Sequence, residues 1–254
     1  MTGDPSSVII YTWIFMLHEG GSMEMKTIGL IGGLTWTSSY EYYRIINEKV
    51  REGLGGLSSA ELIMHSVNFA RINDLMYSDR WDEITDIMSR IASNLKHCGA
   101  DFLIISCNAM HKVAEEISSY ADIPLLHIAA AAGESIQRKG LKKIALLGSA
   151  FVMEQDFYKK PLLAQGLEVV IPGIEDRHFL QNVIATELAV GEVKESSKER
   201  AMEIIKTMGD VGAEGILLAC TELPLLIRSA DCDLALFNSG RIHALAAVEM
   251  ALKE

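Results

Sequence analysis

"GADFLIISC" (Gly99–Cys107) and "GAEGILLAC" (Gly212–Cys220) are two copies of one pattern, 113 residues apart, and their reading decides the fold. Each runs from Gly-Ala through a short apolar stretch to a cysteine. Short apolar stretches bounded by turn residues read as strands buried on both faces. A second pair agrees: "KTIGLIG" (Lys26–Gly32) matches "KKIALLG" (Lys142–Gly148) at an offset of 116. Two copies of nearly equal length predict two similar units.

Outward from these copies, β-type runs alternate with amphipathic helical stretches, the sign of parallel sheets flanked by helices. Strands are expected at "TIGLIG", "AELIMHSV", "FLIIS", "PLLHI", "KIALLG", "EVVIP", "GILLA" and "LALF". The helix "RWDEITDIMSRIASNLKH" places Ile84, Ile87, Met88, Ile91, Leu95 and Cys98 on one face, so Cys98 is expected in the core. "HKVAEEISSYA" reads as a helix following Cys107. The expected division is a first α/β domain of residues 25–122 plus 228–254 and a second of residues 123–227. Residues 1–24 are expected to be a non-core extension. Their apolar run "VIIYTWIFML" (Val8–Leu17) is too short to span a bilayer and lacks the flanks of a signal peptide.

The chain has 254 residues, 49% hydrophobic and 22% charged, enough to bury a large core. Its net charge of -11, with no Lys/Arg cluster, argues against nucleic acid or an anionic membrane as partner. The four cysteines, Cys98, Cys107, Cys220 and Cys232, form no CxxC and have no zinc spacing, so free thiols in a reducing, cytoplasmic compartment and no metal are expected.

Cys107 and Cys220 each fall on a strand-to-helix turn at the carboxyl end of a corresponding strand, where open parallel sheets place ligand crevices. If the units face each other, the two thiols meet in the cleft. A disulfide is disfavoured by the compartment, and His65, His111 and His127 do not complete a zinc site. The third option is acid–base chemistry. Helix N-terminal amides can stabilise a thiolate and lower its pKa, and two such groups across one carbon could take a proton from one face and return one to the other.

The motifs "IISCNAMHK" and "LLACTELPLLI" resemble the two cysteine signatures of the aspartate/glutamate racemase family, which racemises amino acids without pyridoxal phosphate. "IGGLTWTSSYEYYRIIN", "MHSVNF" and "MEQDFYKKPL" extend the resemblance over nearly the whole chain from Met25. It implies two flavodoxin-like parallel-sheet domains related by a pseudo-two-fold axis, an active site in the cleft between them, a small-molecule amino-acid substrate, no cofactor, and usually a homodimer. Cys107 and Cys220 match the catalytic pair.

The resemblance also implies substrate-binding roles. Asn108 and Thr221 follow the cysteines, where side chains and helix N-terminal amides hold the α-carboxylate. Glu222 either tunes the second cysteine or serves only the helix dipole. Gly33 and Thr35, with Gly32, lie on the first strand-to-helix turn, to let backbone approach a ligand or simply to make the turn. Position alone adds two more: His111, one turn beyond Cys107, either bonds the thiolate or fills a packing gap, and Gln155, opening the helix after the repeated first strand, is a substrate-side contact.

Three positions depart from the family. Ala109 replaces a threonine, Asn68 an aspartate, and "FNS" (Phe237–Ser239) a Phe-Asp-Thr, which leaves the substrate's identity open. Arg44, Arg71 and Lys159 are the cations nearest by position for a distal carboxylate. The expected function is a two-base amino-acid racemase. The alternatives are a decarboxylase or isomerase of the wider superfamily, and a non-catalytic amino-acid-binding protein.

Overall fold

The computed structural model describes residues 25–253, so the expected extension 1–24 lies outside the described residues. The first half contributes β1 (Ile28–Gly32), α1 (Trp36–Leu54), β2 (Leu62–Ser66), α2 (Phe69–Tyr77), α3 (Trp81–His97), β3 (Phe102–Ile105), α4 (Ala114–Ala121) and α5 (Ile128–Arg138). The second half contributes β4 (Lys143–Gly148), α6 (Ala150–Glu154), α7 (Asp156–Ala164), β5 (Glu168–Val170), α8 (Ile174–Thr186), α9 (Glu195–Asp210), β6 (Gly215–Ala219), α10 (Leu223–Leu226), β7 (Ala235–Asn238) and α11 (Ser239–Ala251).

Two parallel sheets result, in the orders β2-β1-β3 and β5-β4-β6-β7. β1, β3 and β6 are buried along their whole length, as strands covered on both faces must be. The repeat is therefore structural: β1 corresponds to β4, β2 to β5 and β3 to β6. The counterpart of β7 is the stretch "PLLHI". It is reduced to a single parallel bridge between Leu103 and Leu125, because His127 already caps α5.

The helices that follow these last strands change sides. α5 packs on α7 of the second half, α11 packs on α1 of the first, and the two pack on each other. The expected division is thereby redistributed. Residues 235–238 pair with β6 of the second sheet, Leu125 pairs with β3 of the first, and only α11 of the 228–254 segment joins the first unit. One apolar cluster runs from Ile31, Ile84 and Leu103 to Tyr158, Leu146 and Leu217, so the two halves share a core.

α3 buries Ile84, Met88, Ile91 and Leu95, each contributing roughly 1.5–3 kcal/mol. Cys98 is exposed, contrary to the expectation from periodicity. The helix ends at His97, and Gly99, at φ +102°, turns the chain away before the apolar face can continue. His65 on the edge strand β2 is exposed as well.

Candidate active site

Both cysteines lie where the repeat places them, Cys107 separated from the end of β3 by Ser106 and Cys220 directly after β6. Cys107 is half-buried and Cys220 is buried. The backbone N–H groups of Ala109 and Met110 stabilise a charge on Cys107, and those of Glu222 and Leu223 do so for Cys220. Burial nevertheless outweighs these amides. It pushes the Cys107 thiol up to about 11 and holds Cys220 well above the usual thiol range, with the Glu222 carboxylate raising both. The lowered thiol pKa expected from the helix amides alone is thus reversed by desolvation and a nearby negative charge.

Glu222 joins the halves. Its Oε2 accepts from the Cys220 thiol at 3.1 Å and from the Thr221 hydroxyl at 2.8 Å, and its Oε1 accepts from the Thr35 hydroxyl at 3.0 Å. Ser38, buried at the start of α1, donates to Thr221 Oγ1 at 2.7 Å. Ser39 accepts from the Gly33 N–H at 2.7 Å. Gly33 has φ +81°, and a Cβ there would stand 2.2 Å from the Val67 carbonyl oxygen, so the turn and close strand packing both require glycine.

Asn108 is 4% exposed. Its Oδ1 accepts from the Tyr158 hydroxyl at 2.8 Å and from Ser239 Oγ at 3.0 Å, while its Nδ2 is buried without a partner. Ala109 is buried, and Gln155 is half-buried at the α6–α7 junction, where its backbone N–H bonds to the Phe151 carbonyl.

His111 is placed differently from the other candidates. It is buried behind the Cys107 turn, with Nδ1 donating to the Cys107 carbonyl at 2.9 Å and Nε2 unpartnered. Its ring lies 4.8 Å from that of His127 and 5.4 Å from that of His243. The Tyr42 hydroxyl donates to His243 Nδ1, and His243 Nε2 donates to the Leu126 carbonyl, both at 2.9 Å. Burial lowers all three imidazoles, His127 and His243 to about 4. No group of three or more His, Cys, Asp or Glu suited to a metal ion occurs among the described residues.

Two family departures have a local explanation. Asn68 Oδ1 accepts from the Ala70 N–H and caps α2; Asn238 Oδ1 accepts from the Arg241 N–H and caps α11. An amide oxygen caps a helix as a carboxylate does. Sequence reading did not single out Ser38 or Tyr158, and marked Ser239 only as part of the departure "FNS". The first two lie within the quoted motifs, and a serine pair opening an otherwise amphipathic helix was the available signal.

Two parallel α/β units carrying thiols on equivalent turns, linked by hydroxyls and one carboxylate, define a two-unit fold built around paired cysteines. Residues 31–247 match the Asp/Glu/Hydantoin racemase family, and the chain belongs to that family of isomerases. It is 27% identical over 184 residues to the broad specificity amino-acid racemase RacX of Bacillus subtilis (strain 168), covering 69% of this chain and 77% of that one. A Yersinia pestis crystal structure described as an Asp/Glu racemase shares 40% identity with a TM-score of 0.86, covering 90% of this chain and 100% of the other. An aspartate racemase homologue from Pyrococcus horikoshii OT3 shares 35% identity with a TM-score of 0.79 over the same shares. The expected fold of two parallel-sheet α/β units agrees with these relatives.

Proposed function

We propose that the chain racemises an amino acid without a cofactor, through Cys107 and Cys220. The observation that carries this reading is the pair of thiols on equivalent turns, each facing two backbone amides, with one carboxylate acting on both. One thiolate removes the α-proton while the opposite thiol donates its proton to the other face. The proton inventory is unchanged and the two sulfurs exchange roles. Cys220, whose S–H is bonded to Glu222, serves as the donor at rest. A thiolate is a weak base for an α-proton, so fixed dipoles must stabilise the carbanion, and amides and hydroxyls supply them.

Asn108, Thr221, Thr35 and Ala109 line the substrate's position in this reading, with Asn108 Nδ2 as a carboxylate donor. Gly33 and His111 support the turns behind it, and Gln155 flanks the cleft. A broad or neutral side-chain specificity fits better than an obligately acidic one. Of the three cations nearest by position, Arg44 is held by Glu41 and Glu48 and Lys159 by Asp156 and the Glu154 carbonyl, while Arg71 is exposed on α2. No described helix is long and apolar enough to cross a membrane, and we place the enzyme in the cytoplasm as a homodimer. Trp36, Tyr40 and Tyr43, exposed along α1 at helical spacing, offer a face for the second subunit.

Both enantiomers of the standard amino acids, incubated in deuterated buffer, test the reading. Racemisation with deuterium at the α-carbon is expected. Binding without exchange would indicate an amino-acid-binding protein, and release of carbon dioxide a decarboxylase.

A further inference from the structure

We infer that Tyr158 and Ser239 are positioning residues that orient the Asn108 amide, so that it offers N–H donors, and not its carbonyl, to a carboxylate beside Cys107. The inference rests on the reading of this cleft as an amino-acid site.

Three separate elements meet here. Asn108 lies on the turn after β3, Tyr158 comes from α7 of the second half, and Ser239 opens α11. Tyr158 and Ser239 are both fully buried; both bond Asn108 Oδ1, and the two hydroxyls are also hydrogen-bonding partners of each other. Turning the amide over would have Nδ2 donate to both hydroxyls. One hydroxyl could then donate to the other, but the second would lack an acceptor, and the Asn108 carbonyl would be buried without a donor. The observed orientation leaves only Nδ2 uncommitted, and an uncommitted buried donor is costly unless something accepts from it. A carboxylate is an acceptor only, so the orientation selects for it. Because Tyr158 belongs to the second half, the donor is set only when the halves are packed together.

The decisive variant is Tyr158→Phe, which keeps the ring in its buried place and removes only the hydroxyl; Ser239→Ala is the companion should the first fail to fold. In asparagine-labelled protein, the Asn108 side-chain amide signal, assigned by its loss in Asn108→Ala, is expected to shift and broaden in either variant. KM should rise about tenfold, the scale of one hydrogen bond, equally for both enantiomers and with kcat within about twofold. In an Asn108→Ala background, Tyr158→Phe should add nothing further. An Asn108 amide signal that does not move, or a KM increase that is the same with and without Asn108, overturns the inference. A wild-type protein that exchanges the α-hydrogen of no amino acid, while the amide still responds to both variants, removes the racemase reading and leaves the positioning pair standing.

Discussion

In Cys107-Asn108-Ala109-Met110 and Cys220-Thr221-Glu222-Leu223, the amides of the second and third following residues point at the sulfur in both turns. The difference is a side chain: the methyl of Ala109 stands where the second turn has the Glu222 carboxylate, in direct contact with the Cys220 thiol. The repeated backbone thus supplies two similar anchors, and one substitution between the copies makes the thiols chemically unequal. A racemase needs both relations. The two groups must face one carbon, and at any moment one must be a base and the other an acid.

Removing either sulfur breaks the comparison most severely. Cys107→Ser and Cys220→Ser should each lower racemisation by about 10²–10⁴-fold, the scale of a lost acid–base group, with the fold intact because both lie on turns. Each variant keeps a thiol on one face only, so residual α-deuteration should be confined to one enantiomer. Full racemisation by either variant would end the two-base model.

The comparison also has a buried side. His111 belongs to the first half, His127 caps α5 and His243 lies in α11, so the imidazole cluster forms where the exchanged helices meet. Burial lowers each folded-state pKa below the unfolded value near 6.5. The native cluster stays neutral while the unfolded chain takes up protons. Stability is therefore complete above about pH 6.5 and is lost as pH falls towards about 4, on the order of 2–3 kcal/mol for each of His127 and His243. Denaturant melts between pH 7.5 and 4.5 should show this slope, and His127→Gln should flatten it. An unchanged slope in that variant would remove His127 from the account.

Erasing the carboxylate sharpens the contrast between the turns. In Glu222→Gln the negative charge that raises both thiols is gone, so both pKa values should fall. The rising alkaline limb of kcat/KM should then move to lower pH, with kcat reduced about tenfold through loss of the charged partner of Cys220. Of the two cleft thiols, iodoacetamide should modify Cys107 before Cys220 in the wild type, because Cys107 is the more exposed of the pair, and the gap should narrow in the variant; the exposed Cys98 is followed separately by peptide mapping. A pH profile that stays in place would mean that Glu222 holds Thr35 and Thr221 without tuning either sulfur.

The cysteine turns were legible because strand, turn and helix start are local patterns, and because the chain writes them twice. The exchange of α5 and α11 was not legible. Each helix follows its own sheet in sequence and packs on the other half, and nothing in its period of apolar residues names its partner. The imidazole cluster was hidden for the same reason: residues 111, 127 and 243 become neighbours only through that exchange. Cys98 shows the limit of periodicity, since an apolar face counts only as far as the helix continues. The hydroxyls of Ser38, Tyr158 and Ser239 are ordinary residues until the residues opposite them are known.

The smallest expected effect concerns the two asparagines at positions where the family resemblance implies aspartate. Asn68 caps α2 in the first half and Asn238 caps α11 after the second sheet, each through its side-chain oxygen. Asn68→Asp and Asn238→Asp should keep these hydrogen bonds and add a negative charge at a helix N-terminus, about 0.3–1 kcal/mol of stability apiece. The favourable dipole should hold each new carboxylate below its unfolded pKa. The gain is then present above pH 4 and disappears as the carboxylate protonates in more acidic solution. If these positions serve only as caps, KM for neutral and acidic amino acids should be the same in the variants and the wild type. A selective change in KM for aspartate or glutamate in Asn68→Asp alone would show that this cap also faces the substrate, and that the first half carries a specificity contact which the second lacks.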